Sequence, residues 1–563
     1  MFPGPTRARL VHLNVLGYFL RVTSTTPAEL AILGATVRTL DPARPHATAI
    51  ALRDGAIVAV GEYADVRPLI GPDTAVFDRA GLAVVPGLVD SHTHQLWAAD
   101  LSVGIDLTDV TSVDQLAATL AAHSATLAAD QWVRGWNLHY EVFSGGPIDG
   151  ASLASAVSGR PAVLMFYDLH TAVATPRALA LAGLGAGATF PDSSQVVTRD
   201  GVPTGELREP SAYKRVLEVA DQDVSSTAQR VVAVAHRLAA MGLTGGHVMD
   251  GSPDSFTLLA GIEAEGVLPH RLNVALWIEP GVTDTDIERF AKLRGVRGRH
   301  WAGGMVKLFV DGVIETGTAW LHDADCCGGG SAPFWRDLDR LRQVVTVLAG
   351  QGFQCASHAI GDRAVSEVLD IYEDLETCRA SSGAPHRLEH LELATDDAVK
   401  RIARGGFVAS MQPAYLEWLT SSGDNPWRER VGDRADALAF RARDIIETGG
   451  TVALGSDWPV SGADPRVGMA WARLGRPPKS RDVEVRFPAQ TLTALQALEG
   501  YTVNAAHAAG NSRLGRIAPG YLADLTLFAE DPVAVDADDL VDLPVELTIV
   551  GGDVVHDNAA AMS

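Results

Sequence analysis

Asp90-Ser91-His92-Thr93-His94 sets two imidazoles two residues apart, directly after the apolar pair Leu88-Val89. On an extended strand such residues face one side, so His92 and His94 can present both rings to one cation. Zinc accepts imidazole nitrogen at about 2.0–2.1 Å. A lone His-x-His pair recurs by chance, and four further residues give it company. Lys307 lies in MVKLFVDG, His358 in ASHAIGD, His390 in RLEHLE and Asp457 in LGSDWP. Singly, each has a plain structural account: a hydrogen-bonded core histidine for His358 or His390, an interior ion-pair partner for Lys307, a helix N-cap for Asp457. Together they suit hydrolysis at a metal. Imidazoles hold a divalent ion, which lowers the pKa of water from about 15.7 toward roughly 7. A protonated lysine cannot ligate a metal, but a buried, uncharged Lys307 can take up carbon dioxide as a carbamate whose two oxygens bridge two ions. Asp457 then accepts a proton from the attacking water and returns it to the leaving nitrogen or oxygen.

These residues are far apart in the chain, so the fold must gather them. From residue 87 onward, brief apolar runs ending in polar residues alternate with longer helical stretches. VPGLVDSHTH, LTGGHVMD, LNVALWIE, MVKLFVDG, FQCASHAIGD, HRLEHLE, GFVASMQP and VALGSDWPV read as eight strands. LDRLRQVVTVLAGQ, DRAVSEVLDIYEDLE and TDDAVKRIARG read as helices between them. Eight βα steps predict a (β/α)8 TIM barrel, whose reactive groups sit at the strand C-terminal ends. The barrel spans 87–508, with an insertion at about 95–227 that carries its own strand, PAVLMFYDLH. Such an insertion either covers the active-site face or elaborates the periphery. His170 and Trp136 in it, with His139 and Tyr140, either line a pocket or pack the insertion onto the barrel.

Both chain ends use a different vocabulary of short β-branched runs, AILGATVRTL and ATAIALRDGAIVAVG at one end, ADLTLFAEDP and VELTIVGGDVVH at the other. Asp54-Gly55 reads as a hairpin turn. Residues 30–86 and 509–563 are therefore expected to join in one composite β-sandwich. Residues 1–29 form an extension. Its apolar run from Leu10 to Leu20 is broken by His12 and Asn14 and closed by Arg21 without a small-residue cleavage site.

The whole chain has 563 residues, 69 acidic against 46 basic side chains and a formal charge of −23. That balance repels phosphate backbones and anionic lipid, so nucleic-acid and membrane partners are not expected. A small-molecule substrate is, with a homo-oligomer allowed. Four cysteines without a framework spacing point to a reducing, cytoplasmic setting. Cys326-Cys327 before three glycines reads as a loop.

The motifs PGLVDSHTH at 86–94, KLFVDG at 307–312, HAIGDRA at 358–364, RLEH at 387–390, GSDWPV at 455–460 and ADLTLF at 523–528 resemble the amidohydrolase superfamily, in particular its family 3 group. The resemblance implies a distorted (β/α)8 barrel with a composite sandwich and a mono- or binuclear centre, usually zinc, that hydrolyses amide or related carbon–nitrogen bonds. It places His92 and His94 as first-strand ligands, Lys307 as the fourth-strand residue open to carboxylation, His358 and His390 as fifth- and sixth-strand ligands, and Asp457 as the eighth-strand aspartate. The full set favours two ions. DGVIETGTA at 311–319 departs from the common wording and is similar to N-substituted formamide deformylases. Glu315 in it is either a contact to substrate or a surface carboxylate. Asp362, Arg363 and Arg387, with Glu389, either orient a ligand imidazole through its second nitrogen or form structural ion pairs. A lactone or ester hydrolase would use the same groups. A non-catalytic binding barrel would be marked by lost ligands, whereas the set here is complete.

Overall fold

The computed structural model describes residues 26–101, 103–128, 131–143, 146–167, 171–190, 194–208, 210–220, 227–266, 268–375, 379–419 and 425–561. His170 and residues 1–25 of the expected extension lie outside them.

Eight parallel strands form the barrel: β1 Leu88–Thr93, β2 Leu243–Gly251, β3 Arg271–Ile278, β4 Trp301–Phe309, β5 Gln354–Ala359, β6 Arg387–His390, β7 Val408–Met411 and β8 Thr451–Leu454. They pair in sequence order from β1 to β8. The seam closes just past β8, where Asp457 N donates to His92 O at 2.7 Å and His94 N to Trp458 O at 2.8 Å. Asp90 fastens the seam from the other side: its Oδ1 accepts from His92 N and Ser456 N, both at 3.0 Å, and its Oδ2 from Ser456 Oγ. Gly455 is required there, because a Cβ would stand 2.5 Å from His92 N. The expected barrel is the observed one, and each predicted strand forms.

Alternation decides which side chains enter the barrel. On β4, Val306 and Leu308 point outward into the large core under the helices, while Met305 and Lys307 point inward. Met249, Ala275, Met305 and Ala356 from β2 to β5 fill an interior layer, on top of which the polar residues rest. The helices begin and stop by local chemistry. Asp337 accepts from Arg340 N to cap Leu338–Gly350, and Thr395 accepts from Ala398 N to cap Asp396–Gly405, which ends at left-handed Gly406.

The two chain ends meet in one eight-stranded sheet. Ala83–Pro86 is the joint, pairing with Leu30–Arg38 on one side and Leu525–Phe528 on the other. Ile50, Ile57 and Val84 share a buried cluster with Leu525, Leu547 and Ile549, so the sheet wraps a core drawn from both ends. Its outer hairpin turns at Asp54 and Gly55, both at positive φ. Between β1 and β2 a six-stranded sheet runs from Ile105–Asp106 through Ala162–Phe166 to Gln195–Arg199, with its own core around Leu116, Leu138 and Phe166. Among the described residues, no helix is long and apolar enough to cross a membrane.

Candidate metal centre

His92, His94, Lys307, His358, His390 and Asp457 all converge at the C-terminal mouth of the barrel and all are buried. The ring centroids of His92 and His94 are 5.5 Å apart, His92 and His390 4.7 Å, His358 and His390 4.5 Å. Asp457 sits across them, its Oδ1 3.1 Å from His94 Nε2 and 3.5 Å from His92 Nε2. One ligand atom from each of His92, His390 and Asp457 lies within 4.8 Å of the other two. Lys307 Nζ is 3.2 Å from His92 Nε2 and 4.9 Å from the Phe309 ring centroid.

Two of these residues depend on unusual backbone. Strict alternation on β6 would send His390 outward with Leu388, yet φ at His390 is 75° and at Leu391 48°. Asp457 likewise has φ of 59°. Left-handed backbone at non-glycine residues is costly and recurs where a side chain must be aimed at a functional site.

The imidazoles are oriented from behind. His92 Nδ1 donates to Glu389 Oε2 at 2.7 Å, leaving Nε2 toward the centre. Glu389 is itself gripped by Arg387 at 2.6 and 3.1 Å, and both side chains are fully buried. Arg387 continues to Ser91 O, Ser410 Oγ and His247 Nδ1. His390 Nδ1 donates to Gln412 Oε1 at 2.9 Å. Tyr415 donates its hydroxyl to Asp457 Oδ2. His358 Nε2 donates to Gly312 O at 3.2 Å.

Burial, with the neighbouring Lys307, lowers His92 to about 4, and burial holds His358 and His390 well below the usual imidazole range. All three are neutral at pH 7, the form that ligates a metal. Burial would raise Asp457, but the surrounding imidazoles outweigh it and keep the carboxyl ionised. Among the described residues, three buried atoms of this cluster, His94 Nδ1, His358 Nδ1 and Asp457 Oδ1, have no hydrogen-bond partner. Buried polar atoms left without partners are costly, and a set of imidazole nitrogens with a carboxylate oxygen fits a divalent ion.

The model of the amidohydrolase family matches residues 75–556. The chain belongs to that family. Among its relatives, N-substituted formamide deformylase of Arthrobacter pascens is 28% identical over 543 residues, covering 93% of this chain and 97% of that protein. Protein LONG AFTER FAR-RED 3 of Arabidopsis thaliana is 26% identical over 566 residues, with 97% and 95% covered. The crystal structure of an uncharacterized metal-dependent hydrolase from Pyrococcus furiosus superposes with a TM-score of 0.71 at 21% identity, covering 90% of this chain and 99% of that one. The likeness to formamide deformylases expected from DGVIETGTA is thus present over nearly the whole amidohydrolase chain.

The supporting residues divide. Arg387 reaches an imidazole of the cluster through Glu389, and that imidazole is His92 on β1 rather than the adjacent His390. The reason is the alternation on β6, which turns Arg387 and Glu389 into the barrel toward β1. Asp362 instead accepts from His322 N at 3.0 Å, and Arg363 lies over Trp320 and 3.4 Å from Glu367. Both fix the loop after Asp311. Asp311 anchors that loop by accepting from Trp320 N, Ile360 N and Gly361 N at 2.8–3.0 Å. Trp136 is buried edge-on against Trp458 at 6.5 Å, with Arg237 over both rings, so it joins the insertion to the barrel beside Asp457. His139 and Tyr140 stack on Tyr167 and Phe166 inside the insertion. Glu315 is half-buried at the mouth. Gln412 and Tyr415 were not singled out in the sequence. Their one textual signal is position, at and just after the end of the β7 segment MQP.

Proposed function

We propose that this amidohydrolase uses zinc to add water across an amide, formamide or carbamate-type carbon–nitrogen bond of a small molecule. The observation that carries the reading is the meeting of four imidazoles, one lysine and one carboxylate at a single barrel mouth, with the buried unpartnered atoms among them. The C–N preference draws on the formamide deformylase relative.

His92, His94 and Asp457 are suited to hold one ion, and His358 and His390 a second. Lys307 is the candidate bridge. Burial lowers its pKa to about 8, so part of the population is free amine near neutral pH. The amine nitrogen attacks carbon dioxide, forms the C–N bond of a carbamate and releases one proton. Bound zinc would polarise the scissile carbonyl and make hydroxide available near neutral pH.

The chain's own groups then have distinct work. Asp457 accepts the proton of the attacking water and delivers it to the leaving nitrogen. Tyr415 holds Asp457 Oδ2, which leaves Oδ1 directed at the imidazoles. Glu389 and Gln412 fix the tautomers of His92 and His390. Half-buried Trp97 and Trp277 lie 5.9 Å from His94, and Phe309 stacks on His358 at 4.3 Å, forming an apolar wall beside the reacting group.

A panel of N-formyl amines, N-acyl amines, carbamates and lactones offered to the purified protein tests the proposal. Turnover concentrated in the first three classes is expected. Turnover confined to lactones would move the reading to a lactone or ester hydrolase, and none at all would remove the hydrolase.

A further inference from the structure

A cavity of about 40 Å³ lies behind the wall formed by β7 and β8, and nothing in the chemistry above uses it. Met411 and Leu454, the last residues of those strands, line it with Leu416, Phe440, Trp471 and Phe487. It opens to solvent beside Arg486 and Phe487, which are half-buried. One water needs roughly 10–15 Å³, so the space takes a few waters or the body of a small molecule that extends into the opening.

Its polar lining separates it from a gap in packing. Gln490 donates from Nε2 to Asp444 Oδ2 at 2.9 Å, and Thr491 from Oγ1 to Pro488 O at 3.0 Å, so both are satisfied. Gln412 and Arg486 are not. Gln412 is 2% exposed and spends Oε1 on His390 Nδ1, while its Nε2 has no hydrogen-bond partner among the described residues. Arg486 Nε is buried and likewise unpartnered. Both orphans are N–H donors, and no carboxylate is among the described residues that line the cavity. A buried donor without an acceptor is costly. The backbone adds a second sign: Phe440, from the loop after β7, has φ of 47°, and Phe487, from the loop after β8, has φ of 44°. Left-handed backbone is rare for bulky side chains and recurs at ligand sites. Here it brings two rings from different loops together over the cavity, stacked at 5.9 Å.

We propose that this cavity is a second binding site, for a small apolar molecule that presents a carbonyl or carboxylate oxygen to Gln412. Apolar walls with a few donors are the usual make-up of a small-molecule site. The oxygen would accept from Gln412 Nε2, and the body of the ligand would pack against Met411, Leu454 and the two phenylalanines. Occupancy is separate from whatever bond is cleaved at the metal. It is linked to that centre all the same, because the amide that meets the ligand is the one that holds His390.

Methyl NMR reads occupancy without turnover. The eight methionines are labelled at the methyl carbon, and the Met411 signal, assigned by its loss in Met411→Leu, reports on the cavity. The metal-loaded protein is titrated with cyclopentanone, with its oxygen-free isostere methylenecyclopentane and with cyclopentanecarboxylate. A saturable shift of Met411 is expected with the ketone, at a Kd about tenfold below that of the alkene, the scale of one hydrogen bond to a donor otherwise unmatched. Gln412→Met removes the donor and keeps the length, and is expected to erase that preference. Ala442→Leu fills the cavity from the first residue of the helix Ala442–Glu447. It is expected to abolish the Met411 shift with every probe while the other methionine signals keep their positions. A carboxylate that binds more tightly than the ketone assigns an anionic ligand held also by Arg486; the reverse order assigns a neutral carbonyl. No saturable Met411 shift with any probe would overturn the site and leave a cavity filled by ordered water. Equal binding of ketone and alkene, or a ketone preference that survives Gln412→Met, would overturn the part given to Gln412. A shift that survives Ala442→Leu would place the probe elsewhere and overturn the site as well.

Discussion

Asp457→Asn is expected to lower kcat by about 10²- to 10⁴-fold, the usual scale for loss of a general acid–base group. Metal content is expected to stay near the wild-type level, because the four imidazoles remain and the amide keeps the size of the carboxylate. Tyr415 can still donate to the amide oxygen, so the loop after β8 keeps its hold. The amide nitrogen, however, cannot accept a proton from water. KM is expected to change far less than kcat, since the loss falls on proton transfer rather than on binding. Steady-state kinetics with elemental analysis of the same preparation check this. Full retained activity would exclude Asp457 as the shuttle.

The second large effect concerns stability as much as activity. Arg387 and Glu389 are both fully buried, so Glu389→Ala leaves a guanidinium without its counter-charge in the barrel. Breaking one side of such a pair costs about 3–5 kcal/mol. The same change removes the acceptor for His92 Nδ1, and loss of an outer partner of this kind weakens metal binding by about 10- to 100-fold. Thermal unfolding and competition for metal with a chelator are the measurements. A lowered melting temperature together with easier metal loss is expected. Glu389→Gln preserves shape and offers an acceptor, so it is expected to recover metal binding in part, whereas a purely structural role would leave chelator competition unchanged in both variants.

The barrel was legible because its strands are apolar runs of the right length, each ending where a chemical side chain stands. Lys307 and His358 could be placed for the same reason: they face inward by simple alternation from Met305 and Ala356, which line the interior layer. His390 was read from its place in RLEHLE at a strand end, although alternation would have aimed it away and the positive φ there turns it in. What surrounds the site was harder to read. The partner of Glu389 lies 297 positions away, and nothing in RLEH says that β6 faces β1 across the barrel. Gln412 and Tyr415 carry side chains that sequence patterns do not associate with metals, and they matter here only through hydrogen bonds to His390 and Asp457. Asp362 and Arg363 sit beside His358 in the chain, yet the helix that starts there turns them onto the loop around Trp320 and His322. Proximity in sequence misleads at a strand-to-helix turn. Trp136 shows the converse, reaching Trp458 beside Asp457 from a module more than 300 residues earlier.

The metal centre itself is tested most directly by elemental analysis of protein purified without chelator. About two divalent ions per chain are expected, with zinc predominant, and stripping them is expected to abolish turnover that added zinc restores. One ion per chain would keep the hydrolase and remove the Lys307 carbamate bridge. A metal-free chain that turns over substrate at the full rate would contradict the account.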